Sequence, residues 1–418
     1  MSVLIFHPST APFVQQAARA LHEAGLLDRF YTTLHDDPDS AWQRAACALA
    51  RIGGRDLRRQ LHRRAITEIP PELVTAYPFR EMVRLFAGAL DRGGRLSDLA
   101  WNWAEPGFDR KISRQLHAGL RGVYGFEYSS LATFQAARAR GLKVIYDVPA
   151  PEPLFVQALL NREIARYPEL NTPYHRHTEA REDRRTARRR GEWQAADLVI
   201  AASEFTKRTY VEAGLDGAKV RVVPYGAPPP APRDAALAGP PADAPLQILW
   251  AGTFSIRKGA HYLLEAWRKG GFGSHATLRI HGAITLPEQL LSPLPAGVEI
   301  GGSIPRDQLM EVYRRSDVLV FPTLCDGFGM VATEAWSRGL PVITTTSAGA
   351  ADLLQPHENG LLVLAGDATA LAGAITWCLE HRSELHAMRE GALRTAAAWQ
   401  WADYRKLLGG HVQQVLGS

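Results

Sequence analysis

The chain has 418 residues, 46% apolar and 22% charged, and its 48 lysines and arginines against 43 acids give a formal charge of +5. This length exceeds one ordinary hydrophobic core and predicts two domains, the composition excludes a disordered or fibrous chain, and the small basic excess gives no ground to expect a nucleic-acid partner. With no run of about 18 apolar residues, no signal-peptide pattern in residues 1–6, and three cysteines (Cys47, Cys325, Cys378) lacking C-x-x-C spacing, a cytoplasmic protein with free thiols is expected.

Residues 3–6, Val-Leu-Ile-Phe, read as a buried strand and His7-Pro8-Ser9-Thr10 as a polar loop. A helix follows with Pro12 in its first turn, where a missing amide hydrogen costs little. Asp37-Pro38-Asp39 has the form of an Asp-x-Asp metal motif but sits in a polar loop after a helix, so no metal is assigned to it. Residues 51–64 and 176–190 are dense in arginine; a solvated helix face and a contact with anionic lipid or a phosphate-bearing acceptor are both open. Trp101-Asn102-Trp103-Ala104-Glu105 reads either as a packed aromatic pair or as a platform for an acceptor sugar. Strand–loop–helix units recur at 122–124 with 130–140, at 143–147, and at 198–202 with 204–214, before a strand at 220–224. His175-Arg176-His177 lacks partners at metal-binding spacing and reads as a surface helix feature. From Gly226-Ala227-Pro228-Pro229-Pro230-Ala231-Pro232 to Pro245, alanine, glycine and proline dominate, the composition of a linker.

Beyond the linker, strands are predicted at 246–251, 278–281, 298–301, 318–321, 341–345 and 360–363. The first helix places Ala260, Leu263, Leu264 and Trp267 on one stripe. Short apolar strands alternating with helices predict a parallel sheet covered on both faces, with ligands at the carboxyl ends of its strands. Two loops there carry chemistry. In Phe321-Pro322-Thr323-Leu324-Cys325-Asp326-Gly327-Phe328-Gly329-Met330-Val331-Ala332-Thr333-Glu334, a strand ends in a glycine-containing loop that feeds a helix N-terminus. Free amides and the positive end of the helix dipole suit a diphosphate there. Glu334, inside the helix, suits ribose hydroxyls, and Asp326 suits sugar hydroxyls. In Trp250-Ala251-Gly252-Thr253-Phe254-Ser255-Ile256-Arg257-Lys258-Gly259, Lys258 is placed to neutralise a leaving diphosphate, with Arg257 its nearest alternative. His281 ends a strand on the same side, either as a donor contact or as a packed core residue.

These motifs resemble glycosyltransferase family 4. Asp326 spaced from Glu334, the Gly-Phe-Gly loop, Gly252 to Lys258-Gly259, Ala201-Ala202-Ser203-Glu204-Phe205 and Val223-Pro224-Tyr225-Gly226 all fall in that family's order. The likeness is good from about residue 197 onward and loose before it. It implies the GT-B fold: two doubly wound Rossmann-like α/β domains facing a cleft, at 1–225 and 246–398. Residues 226–245 would join them, and a helix in 399–418 would pack back on the first. It implies donor contacts from Gly252, Thr253, Arg257, Lys258, His281, Ser303, Ile304, Asp326, Gly327, Phe328, Gly329, Met330, Val331 and Glu334, with Lys258, Asp326 and Glu334 carrying catalysis. On the acceptor side, where the family commonly has a glycine-rich loop and a histidine, this chain offers His7, Ser9, Thr10 and Glu152. It departs from the family at Asp326, where glutamate is usual, and at Thr253, where arginine is usual.

The resemblance implies transfer, with retention, from a nucleotide diphosphate sugar to a hydroxyl acceptor. A glycan or lipid-linked glycan of polysaccharide biosynthesis is the expected acceptor, with peripheral membrane contact and no cofactor or metal. No carboxylate pair can be assigned as nucleophile and acid, so a double displacement is not supported. A nucleotide-sugar-binding subunit without turnover, and an epimerase or phosphorylase on the same fold, are the alternatives.

Overall fold

The computed structural model describes residues 2–52, 57–91, 94–171, 182–240 and 244–417; His175-Arg176-His177 lies outside them. The first half of the chain folds around one parallel sheet. Its strands are β1 (Ser2–Phe6), β2 (Leu27–Thr32), β3 (Val74–Ala76), β4 (Leu120–Phe126), β5 (Lys143–Val148), β6 (Leu198–Ala201) and β7 (Val220–Val222), in the order β3-β2-β1-β4-β5-β6-β7. Side chains alternate across a strand, and both faces of β1 are buried. Val3 and Ile5 join a core with Val14 and Leu21 of the helix Pro12–Glu23, while Leu4 and Phe6 join one with Phe134 and Tyr146. β2 and β3 have no counterpart among the strands expected from the sequence. Asp28 and Arg29 interrupt the apolar pattern of β2, and β3 is a three-residue edge strand.

The second sheet holds β8 (Leu246–Ala251), β9 (Ala276–His281), β10 (Val298–Ile300), β11 (Val318–Phe321), β12 (Val342–Thr345) and β13 (Gly360–Val363), in the order β10-β9-β8-β11-β12-β13, again parallel. Ala260, Leu263, Leu264 and Trp267 of the helix Ala260–Gly270 are all buried against it. The strand order reverses between β8 and β11, so the loops after those two strands open at the switch point where such sheets bind ligands.

Two passages of chain join the units side by side. Ala227 donates its amide to Trp399 O at 3.0 Å, and Trp399 Nε1 donates to Pro224 O at 2.9 Å. A side chain at Gly226 would collide with the Trp401 backbone, so the crossing requires glycine. The helix Trp401–Gly417 then lies on Pro12–Glu23, with Leu408, Val412 and Leu416 in the first unit's core and Arg405 bonded to Glu23 and Gln16. Residues 226–240 are docked rather than loose: Ala236 of the short helix Arg233–Ala238 is buried, and its carbonyl accepts from the buried Arg389.

The arginine-rich segments divide. Among the described part of 176–190, Arg185 pairs with Asp98, Arg188 with Asp109, and Arg189 with Glu127. These three side chains are largely buried, so the helix Glu182–Ala195 turns them inward, while Arg184 and Arg190 lie on its solvated face. Trp101 likewise packs on Tyr128, ring centroids 4.3 Å apart, and not on Trp103.

Candidate functional site

The two loops that the sequence singles out meet at the carboxyl ends of β8 and β11. Gly259 makes this possible: it has φ +74°, and a side chain there would strike the Pro322 carbonyl. The Arg257 carbonyl accepts from the amide of Leu324 at 2.9 Å and from Thr323 Oγ1 at 3.2 Å, which ties one loop to the other. Lys258 Nζ and Arg257 Nη1 then both stand 3.7 Å from Asp326 Oδ2. Arg257 is held by donating to Cys325 O at 2.8 Å. Two cations thus face one carboxylate, leaving a local charge of one positive unit. Thr253 stands exposed in the same loop, and Gly252 has its Cα hydrogen turned toward Lys258.

Asp326 also accepts from the Phe328 amide at 3.3 Å, and its backbone is bonded to Ser347 and Gly349. The amides of Gly329, Met330 and Val331 have no acceptor among the described residues. They open the helix Met330–Trp336, where the first turn always leaves donors over. Gly327 and Phe328 are less free than expected. A side chain at Gly327 would collide with Pro149 O of the first unit. The Gly327 carbonyl accepts from Ser203 Oγ at 2.7 Å and Thr206 Oγ1 at 3.1 Å. Phe328 is buried in the first unit's core beside Tyr225. The glycine loop is therefore a joint between the units as well as a floor for the site.

Glu334 sits one helical turn on. Arg306 Nη2 donates to its Oε1 at 2.8 Å and Tyr313 OH to its Oε2 at 3.2 Å. Burial raises this carboxyl above its ordinary range, opposed by the Arg306 guanidinium. His281 Nδ1 lies 3.2 Å from Gly302 O, which fixes the turn carrying exposed Ser303 and half-buried Ile304. Cys325 is buried, and that burial pushes its thiol up to about 11, so it is not a nucleophile at neutral pH.

On the first unit, the residues expected at the acceptor side are engaged locally. His7 Nδ1 accepts from the Ser9 amide at 2.9 Å, and burial lowers the ring to about 4. Thr10 is buried, its carbonyl accepting from Gln15. Glu152 is buried as the cap of the helix Pro153–Arg166, its Oε2 accepting from the Phe155 amide at 2.9 Å. Its carboxylate thus stabilises a helix start. In the Asp37-Pro38-Asp39 loop, Asp37 Oδ1 accepts from the Asp39 amide, and among the described residues no group of three His, Cys, Asp or Glu side chains is arranged to hold a metal.

Sequence reasoning missed the clasp across the units. Glu163 Oε2 accepts from Tyr262 OH at 2.9 Å and lies 3.0 Å from His261 Nε2, while Tyr167 OH donates to Glu265 at 2.9 Å. These partners are nearly a hundred residues apart, and no local pattern marks them. Ser203, quoted above only for the resemblance, caps the helix Glu204–Glu212 by accepting from the Thr206 amide at 3.0 Å and also donates to Gly327 O, a partner that no local pattern marks.

Residues 245–381 match the family described as Glycosyl transferases group 1. The D-inositol 3-phosphate glycosyltransferase of Acidothermus cellulolyticus is 28% identical over 234 residues, 49% of this chain and 52% of that protein. The chain thus aligns with about half the length of that relative. Among solved structures, the sucrose-phosphate synthase of Thermosynechococcus elongatus superposes with a TM-score of 0.69 at 19% identity, covering 100% of this chain and 99% of that one. HepE of Anabaena in complex with UDP-glucose superposes with a TM-score of 0.60 at 17% identity, covering 99% and 100%. The chain thus shares the GT-B fold of these structures over its full length, and its residues 245–381, which hold both loops, are similar to the group 1 glycosyl transferases.

Proposed function

We propose that the protein transfers a glycosyl group from a nucleoside diphosphate sugar to a hydroxyl of a glycan or lipid-linked glycan, with retention of configuration. The observation that carries this is the convergence of Lys258 and Arg257, each 3.7 Å from Asp326, beside unpaired amides at a helix start. A diphosphate at this point would gain charge as the glycosidic bond breaks, and fixed cations act most strongly on charge that develops in the transition state. Arg257 supplies the second cation where Thr253 departs from the family's usual arginine. Asp326 would accept hydrogen bonds from the donor sugar, and Glu334 from ribose. HepE, a neighbour in fold, was solved with UDP-glucose, which supports a nucleotide sugar as donor.

Since the site offers fixed cations for the diphosphate, no divalent metal or cofactor is required in this reading. With no carboxylate pair assigned as nucleophile and acid, the departing diphosphate would itself take the acceptor proton on the face it leaves, which gives retention. Closure of the two units would exclude water from the donor. The test is to incubate chelator-treated protein with a panel of nucleotide sugars and polysaccharide-type acceptors, and to read nucleotide release and the anomeric configuration of the product. Release without metal and a retained product support the reading; a strict metal requirement or an inverted product contradicts it.

A further inference from the structure

In the first unit, the helix Phe79–Leu90 is packed inside out, and the N-terminal half of the next, Arg95–Ile112, also turns apolar side chains outward, although its C-terminal half buries Ala104, Phe108 and Ile112. On the first, Phe79, Phe86 and Leu90 are 67%, 68% and 63% exposed, with Met82, Val83 and Leu85 also outside. Its Glu81 is 4% exposed and paired inward with Arg84 and Arg64. On the second, Leu96, Leu99 and Trp103 form an outer stripe, while Asp98 and Asp109 face inward to Arg185 and Arg188. A surface helix ordinarily does the reverse, so a continuous apolar face of this kind marks a surface that something covers.

Three features identify the cover. The Arg64–Glu81 pair ties the end of the basic segment to the first helix, with exposed Arg63 next to it in the chain and Arg58 paired with Asp36, and exposed Arg95 opens the second helix. Arg80 lies over the Trp103 ring at 4.1 Å, an aromatic and cation pairing suited to a headgroup boundary. Across residues 41–112 there are 13 lysines and arginines against 8 acids, and Glu81, Asp98 and Asp109 among those acids are buried. A two-fold pairing of copies through this face would bring the same arginines together. An anionic bilayer complements both the apolar centre and the cationic border.

We infer that the outer face of the helices Phe79–Leu90 and Arg95–Ile112 docks the protein onto an anionic membrane surface. No described helix is long and apolar enough to cross a membrane, so the contact is interfacial. Trp101, on the inner side of the second helix, stacks on Tyr128 in the loop after β4, so the helix that carries the docked face is anchored at the carboxyl end of that strand. A lipid-linked acceptor would then reach the cleft without leaving the bilayer.

The test is sedimentation of the full chain with vesicles of phosphatidylglycerol and phosphatidylcholine, or of phosphatidylcholine alone, at low and high salt. A Phe86→Asp/Leu99→Asp variant is compared, its folding checked by thermal melt; both sites are exposed, so it should fold. Expected are binding to the anionic vesicles, partial release by salt, and partitioning of the variant weakened by about tenfold or more. Variant binding equal to wild type would overturn the assignment, as would complete release by salt with no effect of the substitutions. Absence of vesicle binding would also overturn it, and dimers lost in the variant on ultracentrifugation would then assign the face to a second copy. Nucleotide titration of the same samples reports on the donor site independently.

Discussion

Replacing Asp326 by asparagine separates charge from shape at the centre of the site. Asparagine keeps an acceptor oxygen for the Phe328 amide, and the backbone bonds to Ser347 and Gly349 hold the loop in place. What changes is the counter-ion that Lys258 and Arg257 share, each 3.7 Å away. A carboxylate about 6 Å from a bound diphosphate repels it by roughly 0.7–1.4 kcal/mol at an effective dielectric of about 40–80. Free nucleoside diphosphate should therefore bind the variant about 3- to 10-fold more tightly. Turnover with the intact donor should move the other way. Loss of the proposed charged hydrogen bond to the sugar would cost about 1.5–3 kcal/mol, on the order of 10- to 150-fold. Calorimetry with nucleotide alone and steady-state kinetics with donor give the two numbers. The reasoning is refuted if the folded variant loses nucleotide affinity, or if turnover is unchanged.

Glu334→Gln should weaken free nucleotide and intact donor by the same factor, because the proposed ribose contact would be common to both; calorimetry with each decides it. Stability should change by about 1 kcal/mol or less, since a partly buried ion pair is replaced by a neutral isostere. At the clasp, the hydrogen bonds from His261 and Tyr262 outweigh burial and hold Glu163 below its ordinary 4.5. Stability from this carboxylate is therefore present above that value and is lost as pH falls through the lowered one. The melting difference between wild type and Glu163→Gln should be clear at pH 7 and vanish in acid; a pH-independent difference contradicts the assignment. Burial holds His7 near 4, so the unfolded chain takes up a proton below 6.5 that the folded one refuses. Stability should fall between those values by on the order of 3 kcal/mol, and a His7 ring resonance titrating near 6.5 would contradict this.

How much of this could be read from the sequence depended on the range of the interaction. The strands 246–251, 318–321 and 360–363 were legible because each is a short apolar run closed by turn residues, and the structure has the same bounds. Lys258, Asp326 and Glu334 could be picked out because a glycine-bearing loop feeding a helix has a local signature. The partners of Glu334 could not, since Arg306 and Tyr313 reach it from another helix. Glu152 shows the converse problem: a carboxylate after a strand looks the same in sequence whether it faces substrate or caps a helix. The orientation of the helix Phe79–Leu90 was equally hidden, because periodicity gives a polar and an apolar face without saying which one turns inward.

In the proposed reaction the cations of the two loops act on a departing nucleoside diphosphate. The most direct measurement compares its release by wild type and by Lys258→Met, with a donor and acceptor that the wild type uses. Removing a group that stabilises developing charge typically lowers turnover by about 100- to 1000-fold. A loss of that size is expected, with a folded variant whose nucleotide affinity falls far less than its rate. A Lys258→Met enzyme that releases nucleoside diphosphate at the wild-type rate would contradict it.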